Sequence, residues 1–541
     1  CFFYSDPLFS QTYTISKTIN WSVEQENYQT KNTTYPTFEG ASVDSKKHPV
    51  YFLKKLIPTS SYSYEIINQK VELYPGGNEI KKDLSNNFSS SSYITYHRGK
   101  PSFNLVMGTL RVNSSGQIER LKSFDVKITC QQPPQKRISI KPVSNSVLSS
   151  GQWFKIALSK DGVYKINADF LRSLGLNLSL INPKNIKIYG NGGGMLPIKN
   201  SDFRNEDLQE NAILVSGEED GVFNEDDYVL FYGQSQHRWK RNSLNIYTHI
   251  NNIYSDTTYY FLTISSSLGK RISQQNSDVN PATKTVTSFD DYVFHESDKV
   301  NLLHSGQEWF GELFDTQTNY SFSVSFPNID NSTPFRFTSN VAARAGNPSA
   351  FNIAVNNNSL SQTVSQVNIE DYLGAIARQS NDTAFFTPAG DNISITYSFQ
   401  KPDPSAQGWL DYFEVQARRN LIMTGPQMIF REGQSVASNA ISEFQLGNFN
   451  SDNCFIWDVT DPLNVKLQNY TLSGSTAIFR LPTTLLKEFI CFNDFLTPKA
   501  VGEIPNQNLH GLPSIDMAIV AHPDFLSAAT QLADFHRQHD G

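Results

Sequence analysis

Along most of the chain, apolar and polar residues alternate with a period of two, the spacing that sends successive side chains to opposite faces of a strand. In "SYSYEIINQKVELY", "SFNLVMGTLRVN" and "GQIERLKSFDVKIT" the alternation runs between clusters of Gly, Asn, Ser and Pro. Residues 11–130 are therefore predicted to form an antiparallel β domain. Cys130 falls in phase with Val126 and Ile128 and is expected to point inward as a small hydrophobe. Residues 131–150 hold prolines, basic residues and serines without an apolar period and read as a linker.

A second β-rich unit is expected over 151–275. It opens with "GQWFKIALSKDGVYKI", two strands about Asp161-Gly162, where Asp-Gly suits a tight hairpin. One short helix follows, with Asn167 as N-cap and Gly175 as stop. Residues 276–505 carry six or more alternating runs spaced by polar turns, the pattern of a β-sandwich or jelly roll. The pattern changes over 506–541: a linker leads to an apolar run, Met517 to Val520, and then to a helix begun at Pro523 with Phe525, Ala528, Ala529, Leu532 and Phe535 on one face. The expected fold class is mainly β, with several antiparallel β domains of sandwich or jelly-roll type followed by the first βα unit of an α/β domain.

Composition supports several cores in 541 residues, with 38% hydrophobic residues including 37 Phe and 24 Tyr. A net charge of −7 supplies no basic field to neutralise phosphates, so no nucleic-acid partner is expected. No run reaches the roughly 18 apolar residues of a membrane-spanning helix. The first ten residues, "CFFYSDPLFS", read as the end of a secretory signal peptide cleaved near Ser10 and Gln11; the alternative is that Cys1 bears a lipid. Four cysteines, at 1, 130, 454 and 491, are too few for a disulfide scaffold. Cys454 and Cys491 both lie in strand-like runs, and pairing across a sheet stays open for them if their Cα atoms come within roughly 7 Å.

Candidate chemistry is sparse. The glycine run Tyr189 to Pro197 lacks the Gly-Lys-Ser/Thr ending of a phosphate loop and reads as an irregular turn. "GEEDGVFNEDDYV" places Glu218, Asp220 and Asp227 at calcium-liganding positions if Gly221 is the sixth residue of a loop; the plainer reading is a solvated acidic turn. His510-Gly511 has the look of a cysteine-peptidase base, but neither Cys454 nor Cys491 stands at a loop or helix start that would lower its pKa. His522, His536 and His539 are too far apart along the last helix to share a metal.

Taken together, "GQWFKIALSKDGVYKI", "IKIYGNGGGMLP", "DLQENAILVSGEEDGVFNEDDYVLFYGQ", "GWLDYFEVQARRNL", "NQNLHG" and "DMAIVAHPDFLSAATQLADFHR" resemble the PorU-type sortases, gingipain-like cysteine peptidases of the bacterial type IX secretion system. The resemblance covers most of residues 151 to 541. "PTFEGASVDSKKHPVYFLKKLIP" and "GQIERLKSFDVKI" look like the N-terminal propeptide domain of gingipain-type peptidases. The resemblance implies an exported protein at the outer membrane of a Bacteroidota-type bacterium, held by the β-barrel partner PorV beside other attachment-complex proteins. It implies removal of C-terminal signal domains from exported proteins and their attachment to anionic lipopolysaccharide through a cysteine thioester. The catalytic His and Cys of such peptidases lie deeper in the peptidase domain than its first strand and helix, so no catalytic residue is carried over and residues 1–541 are expected to be inactive alone. The competing expectation is a non-enzymatic surface adhesin or glycan-binding sandwich, with exposed aromatics around Trp409, Tyr412 and Phe413 as its site.

Overall fold

The computed structural model of the chain describes residues 11–26, 34–44, 48–57, 62–75, 81, 84–97, 100–130, 144–199, 201–304, 306–371, 373–513, 515 and 517–540. The expected signal-peptide remnant, with Cys1, and residues 131–143 of the expected linker lie outside them. The chain divides into two compact units, Cys1–Lys141 and Pro142–Gly541, and is mainly β with mostly antiparallel sheets.

In the first unit the strand Ile118–Cys130 runs between Gln11–Thr18 and Tyr62–Tyr74, while a second sheet runs Ser42–Val43, Pro49–Leu56, Lys100–Gly108, Ser90–His97. Alternation decides what fills the space between them: Phe103, Leu105 and Met107 from one sheet meet Leu121, Phe124, Val126, Ile128 and Cys130 from the other. Cys130 is 2% exposed, as its phase with Val126 and Ile128 requires.

The second unit opens with a five-stranded sheet in the order Glu210–Asn211, Ile186–Tyr189, Thr258–Ile264, Trp153–Leu158, Lys499–Ile504. A three-stranded sheet, Gly162–Asn167, Tyr228–Gly233, Ile213–Ser216, packs on it around Phe154, Ile156, Ile166, Phe231 and Leu262. The hairpin expected about Asp161-Gly162 does not form. Trp153–Leu158 and Gly162–Asn167 belong to different sheets, and the Asp161 carboxylate accepts from Ser235 N at 2.6 Å instead of closing a turn. The short helix Ala168–Ser173 forms as expected: Asn167 Oδ1 accepts from Phe170 N at 3.0 Å, and Gly175 adopts a φ of 84° just past its end.

Two sandwiches follow, built from residues 273–492. In one, Ser288–Glu296, Gln407–Asn420, Phe335–Arg344 and Arg378–Phe386 face Asn319–Ser325, Asn392–Gln400, Ser349–Val355 and Asn358–Val364, with Phe337, Phe351, Tyr397, Phe413 and Val415 between. The other draws its strands from both sides of the first in sequence. Parallel pairs join Ser273–Gln275 to Lys466–Gln468 and Lys284–Val286 to Ile441–Leu446. Its core holds Phe430, Phe444, Phe479, Phe489, Cys454 and Cys491, and Trp457, Ile490 and Phe492 on its other side meet Val163, Leu230 and Tyr232 of the three-stranded sheet.

At the C-terminal end a 3-10 turn, Pro523–Phe525, leads into the helix Leu526–His539, near the expected start. The strand expected at Met517 to Val520 is absent. An isolated apolar run has no ladder partner for its backbone, and Met517, Ile519 and Val520 are 49%, 38% and 98% exposed. Among the described residues, no helix is long and apolar enough to cross a membrane.

Candidate functional site

The acidic turn engages its carboxylates one by one. Glu218 accepts from Arg271 Nε at 2.8 Å. Asp220 accepts from Val222 N and from Asn224 Nδ2, each at 2.9 Å, bonds that hold its carboxyl below the usual range. Asp227 is buried, accepts from Asn224 N at 2.7 Å, and lies where a Cβ on Gly217 would stand, 1.7 Å from its Oδ1; Gly217 has a φ of 84°. Glu218 thus serves Arg271, while Asp220 and Asp227 both hold Asn224, one through its side-chain amide and the other through its backbone N–H. Among the described residues, no three His, Cys, Asp or Glu side chains converge as a metal-holding group.

His510 sits exposed in a 3-10 turn, Leu509–Gly511, whereas Cys454 and Cys491 are free thiols inside a sandwich core. Ile456 pairs directly with Cys491, which makes Cys454 and Cys491 diagonal neighbours on one face. Burial, and then the adjacent Cys454, push the Cys491 thiol well up, the opposite of an activated nucleophile. His522 caps the C-terminal turn through Asp524 N, His536 pairs with Asp540, and His539 Nδ1 donates to Phe535 O at 2.9 Å.

The exposed aromatic platform expected around Trp409, Tyr412 and Phe413 does not exist. Trp409 and Phe413 are 4% and 1% exposed, and half-buried Tyr412 packs edge-on against His249. The reason is position: Gln407–Asn420 is an inner strand whose two faces are both covered, one by the sandwich core and the other by Phe310 and a distant hairpin.

That hairpin, Arg238–Arg241 with Tyr247–Ile250, carries a polar centre that sequence reading missed. His249 Nδ1 bonds Glu414 Oε1 at 2.7 Å and Nε2 bonds Glu296 Oε2 at 2.5 Å, while the ring stacks on Phe294 at 4.2 Å. Burial alone would lower the imidazole pKa, but the hydrogen bonds from the ring to Glu296 and Glu414 outweigh it and raise the group to about 9. Asn251 Nδ2 donates to Glu296 Oε1 at 2.9 Å and to Asp298 Oδ2 at 3.1 Å. Nearby Asp411 is pushed up to about 7 by burial and by Glu296, Glu308 and Asp298. The available signals were a polar residue in the buried phase of "YTHI" and, in "YFEV", Glu414 on the face opposite the core residues Phe413 and Val415. Nothing local joins the two.

At the C-terminal end, the extended segment and the helix enclose an open groove of about 800 Å³ lined by Ile515, Met517, Ile519, Leu526, Ala529 and Ala533. Phe525, Leu532 and Phe535 stand 67%, 52% or 50% in solvent in the order Phe525, Phe535, Leu532. A β unit, stacked β layers and a helix with an uncovered apolar face therefore follow one another along the chain. The fold is similar to that of latent PorU. The match is to dimeric latent PorU from Porphyromonas gingivalis, with a TM-score of 0.63 and 23% identity over 75% of this chain and 38% of the PorU chain. This chain thus spans little more than a third of the PorU chain it matches. A zymogen structure of gingipain K from the same organism aligns over 23% of this chain and 93% of its own, with 10% identity and a TM-score of 0.18, a likeness too slight to bear on the fold. No protein-family model matches the sequence, and no curated protein matches it.

Proposed function

We propose that residues 1–541 are the non-catalytic N-terminal region of a PorU-type sortase, a gingipain-like cysteine peptidase that removes C-terminal signal domains from exported proteins and joins the new carboxyl end to anionic lipopolysaccharide. The observation that carries this reading is the likeness of fold to latent PorU over three quarters of the chain. The reading makes the protein an exported one, held at the outer membrane by PorV and its attachment complex.

In such a reaction a cysteine thiolate attacks the scissile carbonyl, a histidine passes a proton to the departing amine, and an amine of the glycolipid takes the acyl group from the thioester. The described cysteines, 130, 454 and 491, are all buried and unsuited to that attack. The role left to this region is mechanical. Lys499–Ile504 is an edge strand of the five-stranded sheet, so the segment that follows it leaves from a fixed place. The uncovered apolar faces of Ile519, Leu532 and Phe535 suit packing beneath further strands of an α/β peptidase.

The test is to incubate the product of the whole gene with a cargo bearing a C-terminal signal domain, and purified 1–541 in parallel. Cleavage by the first and none by the second is expected. Turnover by 1–541 alone would overturn the division of labour.

A further inference from the structure

The hairpin Arg238–Arg241/Tyr247–Ile250 pairs with no other described strand. It lies on the outer face of the sheet that contains Ser288–Glu296 and Gln407–Asn420, held through side chains. His249 N donates to Glu414 Oε1 at 2.8 Å and Tyr247 N to Gln416 Oε1 at 3.1 Å, while Gln416 Nε2 donates back to Asn245 O at 2.7 Å. Arg241 Nη2 donates to Gly433 O at 2.9 Å, and Trp239 packs on Tyr292 at 4.0 Å. In the middle of this contact the His249 imidazole, with a side chain 4% exposed, separates two carboxylates.

We propose that the hairpin is a proton-dependent clasp, closed on the sandwich while His249 carries a proton on each nitrogen and released when one is lost. A neutral imidazole has one N–H and one lone pair, so it serves only one of two carboxylates placed on its two nitrogens. Glu414 keeps a second cation, Arg336 Nη1 at 3.5 Å from its Oε2. Among the described residues the Glu296 carboxylate then keeps the Asn251 amide alone, so the clasp opens on the Glu296 side.

The remaining charged groups push the same way. Asp298 and Asp411 face Glu296 and are both raised by burial and by their acidic neighbours, with Glu308 adding to Asp411. His237, beside Glu296 and Asp256, is lowered by burial and supplies no replacement cation. On the far side of the hairpin, Arg241 and Arg431 offset Asp290 and Glu488 around Tyr247. A group raised on folding contributes stability that is complete below its unfolded value and lost as pH rises through its folded one. For Asp411 the loss runs from about 3.8 to about 7, and for His249 from about 6.5 to about 9. The clasp therefore weakens stepwise with rising pH and opens near pH 9.

Hydrogen exchange on residues 1–541 from pH 6 to 10, corrected for the intrinsic exchange rate, tests this without reference to any enzymatic role. Protection of residues 238–250 is expected to fall about tenfold or more between pH 6.5 and 9 while that of Asn392–Gln400 holds. Glu296→Gln is expected to move the midpoint toward lower pH, and His249→Gln to leave a weakly protected hairpin with no step. Should His249→Gln fail to fold, the wild-type series and Glu296→Gln decide the matter. Equal protection of the hairpin at pH 6 and 10, or a midpoint unmoved by Glu296→Gln, overturns the proposal.

Discussion

Trp153 and Ile504 stand opposite each other in antiparallel register, so the first and last strands of the second unit close one sheet. The chain just beyond is tied back to the start of the unit. Asn506 Nδ2 donates to Leu148 O at 3.1 Å and Gly151 O at 2.9 Å, and Asn508 Oδ1 accepts from Ser146 N at 2.8 Å. Replacing both with Ala is expected to cost on the order of 1–3 kcal/mol. Hydrogen exchange would show the loss at residues 146–151, with the sandwich cores unchanged.

Phe413 and Trp409 are expected to behave as core residues, not as ligand contacts. Phe413 meets Phe322 at 5.3 Å and Phe337 at 6.2 Å inside the first sandwich. Phe413→Ala is expected to lower stability by about 3–5 kcal/mol, measured by chemical denaturation. Preserved stability with a lost glycan interaction would restore the adhesin reading.

Glu312 sets an acid limit. Burial alone would raise its carboxyl, but hydrogen bonds from His295 Nε2 at 3.2 Å and Lys299 Nζ at 3.0 Å bring it down from 4.5 to about 2. Its contribution is present above about pH 4.5 and is lost as pH falls toward 2. Glu312→Gln is expected to lower stability at pH 7 by on the order of 1–3 kcal/mol, given the partial exposure of its partners. The gap from wild type should close in acid, and a constant gap down to pH 2.5 would argue against the pairing.

Leu532 and Phe535 project from the C-terminal helix into solvent. The double change to Ser is expected to reduce dye binding to apolar surface while leaving the main unfolding transition in place, since neither residue supports a core. A clear fall in that transition would mean that the helix packs against residues it does not touch in this structure.

Local pattern made the strands legible, because alternation is a property of a few consecutive residues: Ile393, Ile395, Tyr397 and Phe399 all point inward, as does Cys130. The Asn167 cap was legible for the same reason, being settled within four residues. Pairing was not. The Asp161-Gly162 signal specifies a turn but not whether the flanking strands share a sheet, and here they do not. Trp409 looked exposable until residues far along the chain covered it, and His249 joins Glu414 across 165 positions. The run Met517 to Val520 has a strand's composition, yet composition supplies no neighbour to bond with.

The central claim, that this is the forward part of a PorU-type peptidase, is tested most directly by sequencing the encoding gene onward from the codon for Gly541. The expected result is an in-frame α/β domain that supplies a His-Gly element and, later, a cysteine at a strand end. A stop codon at that point, or a continuation lacking either residue, would contradict it.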